Sequence, residues 1–213
     1  ADAESDTGGV AADSSGDATI DIGVPGDAMT KTQVGSNVEL TGKTVVLEAS
    51  VPLLKGKVFA ASTAGGGVVD SDGTARIKVN ENSIVTVNAG SQITGVEKVE
   101  ITAKQTIDTE SDGDATLYGA AGDTDATAEN ETLTNASINA QATAKFTTWE
   151  LAVLAETTIQ QYDKDADRSA YALDIGSESE PGSLTPTRSI IFDADALIQS
   201  TPKVIVDASG NLE

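Results

Sequence analysis

The most specific candidate for chemistry in this sequence is a run of alternating acids, Asp163-Lys164-Asp165-Ala166-Asp167-Arg168, followed by Asp174. Asp163, Asp165, Asp167 and Asp174 have the spacing of positions 1, 3, 5 and 12 in a helix-flanked calcium-binding loop. Carboxylates two residues apart in a curled loop converge on one point, and a hard cation requires six to eight such oxygens. We therefore predict that these four aspartates bind calcium.

The same run departs from the calcium-loop pattern in two positions. Arg168 stands where a glycine makes the sharp turn, and Asp174 stands where the longer, bidentate glutamate is usual. The flanking residues also have the composition of strands rather than helices. The alternative interpretation is a solvated acidic turn in a chain that is rich in aspartate.

Composition excludes several classes of function. The chain of 213 residues has 34 Asp and Glu against 13 Lys and Arg, a net charge of −21, and neither His nor Cys. This charge repels phosphate, so we expect no nucleic acid among its partners. The lack of His and Cys excludes His- or Cys-based triads, thiolate nucleophiles and zinc sites. No apolar stretch approaches the roughly 20 residues that cross a bilayer, so no membrane insertion is expected within the chain.

A degenerate repeat organises the rest of the sequence. Its copies start at residues 44, 98, 151 and 203, at intervals of 54, 53 and 52 residues. Gly35-Ser36 before the first copy recurs as Gly90-Ser91 before the second. The alignment makes four apolar positions equivalent, and we expect them to form one interior column: Val46, Ile101, Val153 and Ile205.

Short alternating segments such as Arg76–Asn80 and Ser83–Asn88 are typical of half-buried strands. Aromatic residues make up only 3% of the chain, which favours a narrow core. These patterns predict an all-β parallel β-helix, or solenoid, and an antiparallel sandwich is the alternative. A period near 53 exceeds the roughly 20 to 30 residues of a usual coil, so each repeat is interpreted as two coils or as one coil plus a loop.

The sequence divides into a polar, partly irregular N-terminal segment, residues 1–33, and a β-solenoid over residues 34–213. Three polar stretches do not have the pattern of strands: Ala1–Gly16, Asp108–Glu131 and Gly176–Arg188. We expect the first to be loose and the others to be acidic or polar loop insertions that leave the solenoid core. The chain begins with Ala1 rather than Met, and we interpret it as a mature fragment of a longer protein.

From about residue 34 onward the chain resembles the filamentous-haemagglutinin-like β-helix regions of giant secreted bacterial adhesins. The resemblance depends on segments such as Gly90–Ala103, Arg188–Leu197 and Val204–Asn211. It implies a right-handed parallel β-helix, extracellular or cell-surface display and a structural or adhesive role, with no catalytic residues.

We therefore expect a non-enzymatic segment of a long β-solenoid stalk, filament or adhesin. Its partners would be a cell-surface or matrix ligand, or copies of itself stacked end to end. Two alternatives stay open: a self-assembling sheath or surface-layer subunit, and a polysaccharide-active enzyme on the same scaffold. No pair among the 34 acids stands out as the carboxylate pair of a glycosidase.

Overall fold

The computed structural model describes residues 1–23, 30–171 and 173–212, without the side chains of 200–202, 211 and 212. Within this part the regular structure is strand, and the paired strands run parallel in one sheet. The strands are β1 (Asp2–Ile22), β2 (Thr30–Val34), β3 (Glu39–Val87), β4 (Gln92–Ala140), β5 (Lys145–Ala170), β6 (Leu173–Asp174), β7 (Glu178–Ser179), β8 (Gly182–Phe192) and β9 (Leu197–Leu212).

Each repeat of the sequence is one complete coil of a parallel solenoid. β3 pairs with β4 from Glu39↔Gln92 to Val87↔Ala140, so the chain returns to the same place one layer higher after about 53 residues. We call these layers rungs: rung 1 is β1 and β2, rung 2 is β3, rung 3 is β4, rung 4 is β5 to β8, and rung 5 is β9. The parallel solenoid is confirmed. Each period is a single long coil, so it is neither two coils nor one shorter coil with an added loop. Neighbouring strands lie about 4.8 Å apart, so the five rungs span about 20 Å.

The coil is flattened, and its two walls face each other across a thin interior. The hydroxyls of Ser62 and Ser71 are 2.8 Å apart in rung 2, and Asn130 Nδ2 donates to Thr109 Oγ1 at 3.1 Å in rung 3. In rung 2 the chain between Ser62 and Ser71 turns back at its midpoint, Gly65-Gly66-Gly67, and in rung 3 the midpoint between Thr109 and Asn130 falls at the equivalent position 53 residues later. We call this place the glycine bend. The narrow core expected from the shortage of aromatics follows from this flattening.

Tight turns stack at the other end of the coil. Asn37, Gly90, Thr143 and Asp195 have positive φ angles of 58°, 74°, 64° and 68° at equivalent positions of successive rungs. Gly90 therefore corresponds to Asn37, because the register between rungs 2 and 3 is 53 residues. The apparent match of Gly35-Ser36 with Gly90-Ser91 is two residues out of register and was wrong.

The interior column differs from the predicted one at its two ends. The register stacks Leu47, Ile101, Val153 and Val206. Val46 points outward and is 53% exposed, and Ile205 lies in the same outward column, above Glu100 and Ala152. Rung 3 has one extra residue where Val96-Glu97 stand against the single Trp149 of rung 4, so the third copy begins at Glu150. A shift of one residue moves a strand's side chains to the opposite face.

The acidic stretch Asp108–Glu131 is part of strand β4 and pairs with β3, and was wrongly predicted as a loop insertion. It can remain a strand because small inward residues, such as Ala115 and Ala126, alternate with outward acids. Most of Ala1–Gly16 lies in β1, and Gly176–Arg188 contains β7 and the start of β8. β1 and β2 pair with β3, so the described residues of segment 1–33 share one sheet with the rest, while residues 24–29 lie outside the described part.

Candidate functional site

Aspartates stack on aspartates along the outside of both walls near the glycine bend. One acidic ladder follows the bend, with Asp13, Asp70 and Asp123 in one column and Asp72 and Asp125 in the next. A second ladder precedes the bend on the other wall, with Asp112 under Asp165 and Asp114 under Asp167. Because the backbones of neighbouring rungs are about 4.8 Å apart, like charges lie close together in each column.

This stacking changes the acidity of the aspartates. Partial burial and then the charges of Asp13 and Asp123 raise the pKa of Asp70 above its ordinary value. Burial and then the charge of Asp114 raise the pKa of Asp112 in the same direction. At Asp165 the neighbouring charge of Asp167 is the largest cause of a raised pKa. The ladders therefore hold protons more tightly than isolated aspartates do, and they favour any bound cation.

Most of the cationic side chains lie in other columns, where they pair with acids of the next rung. Lys55 Nζ lies 2.8 Å from Asp108, and Lys57 Nζ lies 2.5 Å from Glu110. Comparable pairs between rungs are Arg76–Glu129, Lys78–Glu131, Lys104–Glu156 and Lys203–Glu150. These pairs favour the observed register, because opposite charges on facing positions of neighbouring strands attract.

A groove of about 690 Å³ runs across the rungs just after the glycine bend. Its lining combines apolar side chains, among them Val68, Leu173 and Ile175, with the aspartate column of the first ladder. Val68, Leu173 and Ile175 are largely exposed, so the groove presents apolar surface to solvent. An apolar groove with carboxylates on one side is suited to a ligand that presents both an apolar surface and hydrogen-bond donors or positive charge.

Two tyrosines lie at the start of the same bend. The rings of Tyr118 and Tyr171 stack with centroids 4.8 Å apart and planes inclined by 8°, and both side chains are more than half exposed. Together the tyrosine pair, the groove and the first ladder form the candidate binding site, which we call the bend site.

The structure does not bring the four predicted calcium ligands to one point. Asp163, Asp165 and Asp167 are alternate outward residues of strand β5, so the extended backbone separates them by about 6.6 Å per step. Asp174 lies in β6 and pairs with the guanidinium of Arg168. Among the described residues no group of three or more acidic side chains is arranged to hold a metal ion. Calcium binding by this chain stays a prediction.

Sequence reasoning missed the acidic ladders, although their signal was present. Asp70 and Asp123, Asp72 and Asp125, Asp112 and Asp165, and Asp114 and Asp167 are each separated by the repeat length of 53 residues. The repeat was not extended through Asp108–Glu131 because that stretch was interpreted as a loop. The tyrosine pair, also 53 residues apart, was missed for the same reason.

Comparison with known proteins finds no matching family model, no similar curated protein and no similar solved structure. In the described part of the chain no helix has the length and apolar character needed to cross a membrane.

Proposed function

We propose that this chain is a non-enzymatic structural or adhesive segment of a long extracellular β-solenoid, such as a stalk, filament or adhesin. The observation that carries the proposal is the parallel pairing of successive rungs into one solenoid with a groove across four of them. Rung 5 also leaves an apolar edge, which we call the open rung. The resemblance to haemagglutinin-like β-helix regions is consistent with this role.

The open rung is visible in the column of Ile101, Val153 and Val206. Ile101 and Val153 are buried, but Val206 is 52% exposed although it points to the interior. Strand β9 is the terminal strand of the sheet order, and a strand edge of this kind pairs readily with another strand. A strand that paired with β9 would bury this apolar edge.

The bend site supports an adhesive role within the same proposal. The groove takes lining residues from β1, β3, β4 and β6, so it crosses four successive rungs on a rigid support. Such a surface can contact an extended ligand along the solenoid axis without a conformational change. A cell-surface or matrix ligand of mixed apolar and polar character fits its lining.

The open rung also favours a second candidate function, a self-assembling sheath, surface-layer or filament subunit. In that case the first rung of another copy covers β9, and the solenoid continues from chain to chain. The two candidates differ in what covers the open rung in the isolated chain.

A pair of matched variants distinguishes them. Val206→Asp places a charge on the open end, whereas Val46→Asp places one on the side of the rod at almost the same exposure, 53%. For a self-assembling subunit, sedimentation velocity over a concentration series and electron microscopy should show filaments with wild type and Val46→Asp but not with Val206→Asp. For a stalk segment, all three chains should remain short particles at every concentration.

The non-enzymatic role is tested separately. Purified protein incubated with acidic and neutral polysaccharides should release no new reducing or unsaturated ends. Degradation that is lost in Asp70→Asn and Asp72→Asn would contradict the proposal and support an enzyme on the solenoid.

Antibody against the folded chain should label intact cells of the source, and labelling only after lysis would contradict the extracellular location.

A further inference from the structure

Among the described residues, five buried side-chain oxygen atoms have no hydrogen-bond partner, and three of them belong to residues that the register places near one another: Glu81 Oε1, Gln105 Oε1 and Thr134 Oγ1. These three residues are 1%, 0% and 3% exposed, so bulk water does not satisfy them. Buried polar groups without partners are rare because each one costs free energy of desolvation. The unpaired carboxyl oxygen of Glu81 is the most costly of the three when the carboxyl is charged.

The register of the solenoid places these three residues at neighbouring positions. Glu81 of rung 2 and Thr134 of rung 3 are direct register partners. In rung 3, Asn130 bonds to Thr109 across the interior. The two walls run in opposite directions, so Thr134, four residues after Asn130, lies opposite Gln105, four residues before Thr109. Beside Glu81, Ser83 Oγ donates to Lys104 O at 3.2 Å and joins the same two walls.

The chemistry of this ligand set suits a hard cation. Gln105 Nε2 donates to Thr157 Oγ1 at 3.1 Å, which leaves Gln105 Oε1 as an acceptor. A carboxylate, an amide oxygen and a hydroxyl are the ligand types that hard cations prefer. In a closed space, protein oxygens can take the place of the water molecules that an alkali ion loses when it binds.

We propose that Glu81, Gln105 and Thr134 bind one dehydrated alkali cation, Na⁺ or K⁺, inside the solenoid between rungs 2 and 3. A monovalent ion is favoured because the site has one carboxylate. A divalent ion would leave a positive charge in a medium of low polarity. Arg188 faces the interior in the column of Ser83 and Ala136, with its guanidinium against Gly210 of rung 5, and adds positive charge beyond the site.

Burial raises the pKa of the Glu81 carboxyl from 4.5 to about 7, because the interior disfavours its charged form. The site residues that β4 supplies, Gln105 and Thr134, are neutral, and Arg188 of β8 lies two rungs above. A cation bound at the site supplies the positive charge that the deprotonated carboxyl needs.

The test is a thermal melt of the whole chain in NaCl, KCl and tetramethylammonium chloride at equal ionic strength. At pH 8 the melting temperature should be several degrees higher in at least one alkali salt, and the Na⁺ and K⁺ arms identify the preferred ion. Crystals grown in RbCl should show an anomalous peak between Glu81 and Thr134.

Two variants separate this site from cation binding to the acidic surface. Glu81→Gln keeps the side-chain shape, removes the charge, and should lose the alkali-specific increment at pH 8. Thr134→Val should reduce the increment, whereas Thr124→Val should not, because Thr124 has a buried unpaired hydroxyl elsewhere in the interior. Equal melting temperatures in the three salts at pH 8, or an increment that persists in Glu81→Gln, would overturn the proposal.

Discussion

Tyr118 and Tyr171 stack face to face with ring centroids 4.8 Å apart, which is the spacing of neighbouring rungs. The repeat therefore places identical aromatic side chains in register at an exposed bend. Such in-register stacking is a direct consequence of parallel pairing, because each side chain lies above its equivalent one coil earlier.

The tyrosine stack should contribute measurable coupling to stability. A double-mutant cycle of Tyr118→Ala and Tyr171→Ala should give a coupling free energy of about 0.5 to 1.5 kcal/mol, the usual value for an aromatic pair. Urea denaturation of the two single variants and the double variant measures it. Strictly additive effects would show that the rings do not interact in solution.

The interior column gives a sharp test of the register. Ile101→Asp should destabilise the chain by several kcal/mol, because it buries a charge without a partner. Val46→Asp, one residue before the same column in rung 2, should change the free energy of unfolding by less than about 0.5 kcal/mol, because its side chain points outward. Chemical denaturation measures both, and equal effects of the two variants would contradict the assigned faces.

Gly90 occupies one of the stacked turns. Its φ of +74° lies in a region that L side chains rarely adopt, and an added Cβ would also require the side chain of Asn37 in the rung below to move. Gly90→Ala should therefore lower the free energy of unfolding by at least about 1 to 2 kcal/mol. Gly35→Ala is the matched control, since a Cβ there meets only Val38 Cγ2 at an ordinary contact of 3.4 Å. A Gly90→Ala variant as stable as Gly35→Ala would argue against the turn.

The acidic ladders make stability depend on pH in an unusual direction. The pKa values of Asp70, Asp72, Asp112 and Asp114 are raised, so the folded chain retains protons that the unfolded chain has lost. The free energy of unfolding should therefore rise as the pH falls from 8 towards the ordinary pKa of aspartate. Melting temperatures from pH 8 to pH 4.5 test this. Asp72→Asn should flatten the profile, and a maximum at pH 7 to 8 would contradict it.

Calcium should stabilise the chain more than sodium does. Millimolar CaCl₂ added to a constant NaCl background should raise the melting temperature above that in NaCl of equal ionic strength, because simple screening does not distinguish the two ions. Replacing Asp163 and Asp165 by Asn should remove the increment if they are ligands. Replacing Asp193 and Asp195 by Asn removes the same charge at a turn and serves as the control. The same melting curve in both salts would exclude a calcium site.

Strand alternation and a 53-residue period were sufficient to predict a parallel solenoid, since both can be recognised in the sequence without knowledge of any contact. They were not sufficient to predict its register. The single Trp149 of rung 4 stands against two residues in rung 3 and again against two in rung 5, and these one-residue shifts place Val46 and Ile205 on the outer face. A period alone does not locate such shifts. Asp108–Glu131 was interpreted as a loop because its acidity suggested solvent, although its outward aspartates satisfy strand alternation equally well.

The sequence by itself determined the strand content, the acidic character and the absence of His- and Cys-based chemistry. Only the tertiary structure decided that one period is one coil, that aspartates stack in ladders, and that Asn130 bonds to Thr109 across the interior. The physical reason is distance along the chain. A solenoid brings together residues one coil apart and residues on opposite walls, and the second relationship depends on where the coil bends rather than on its period.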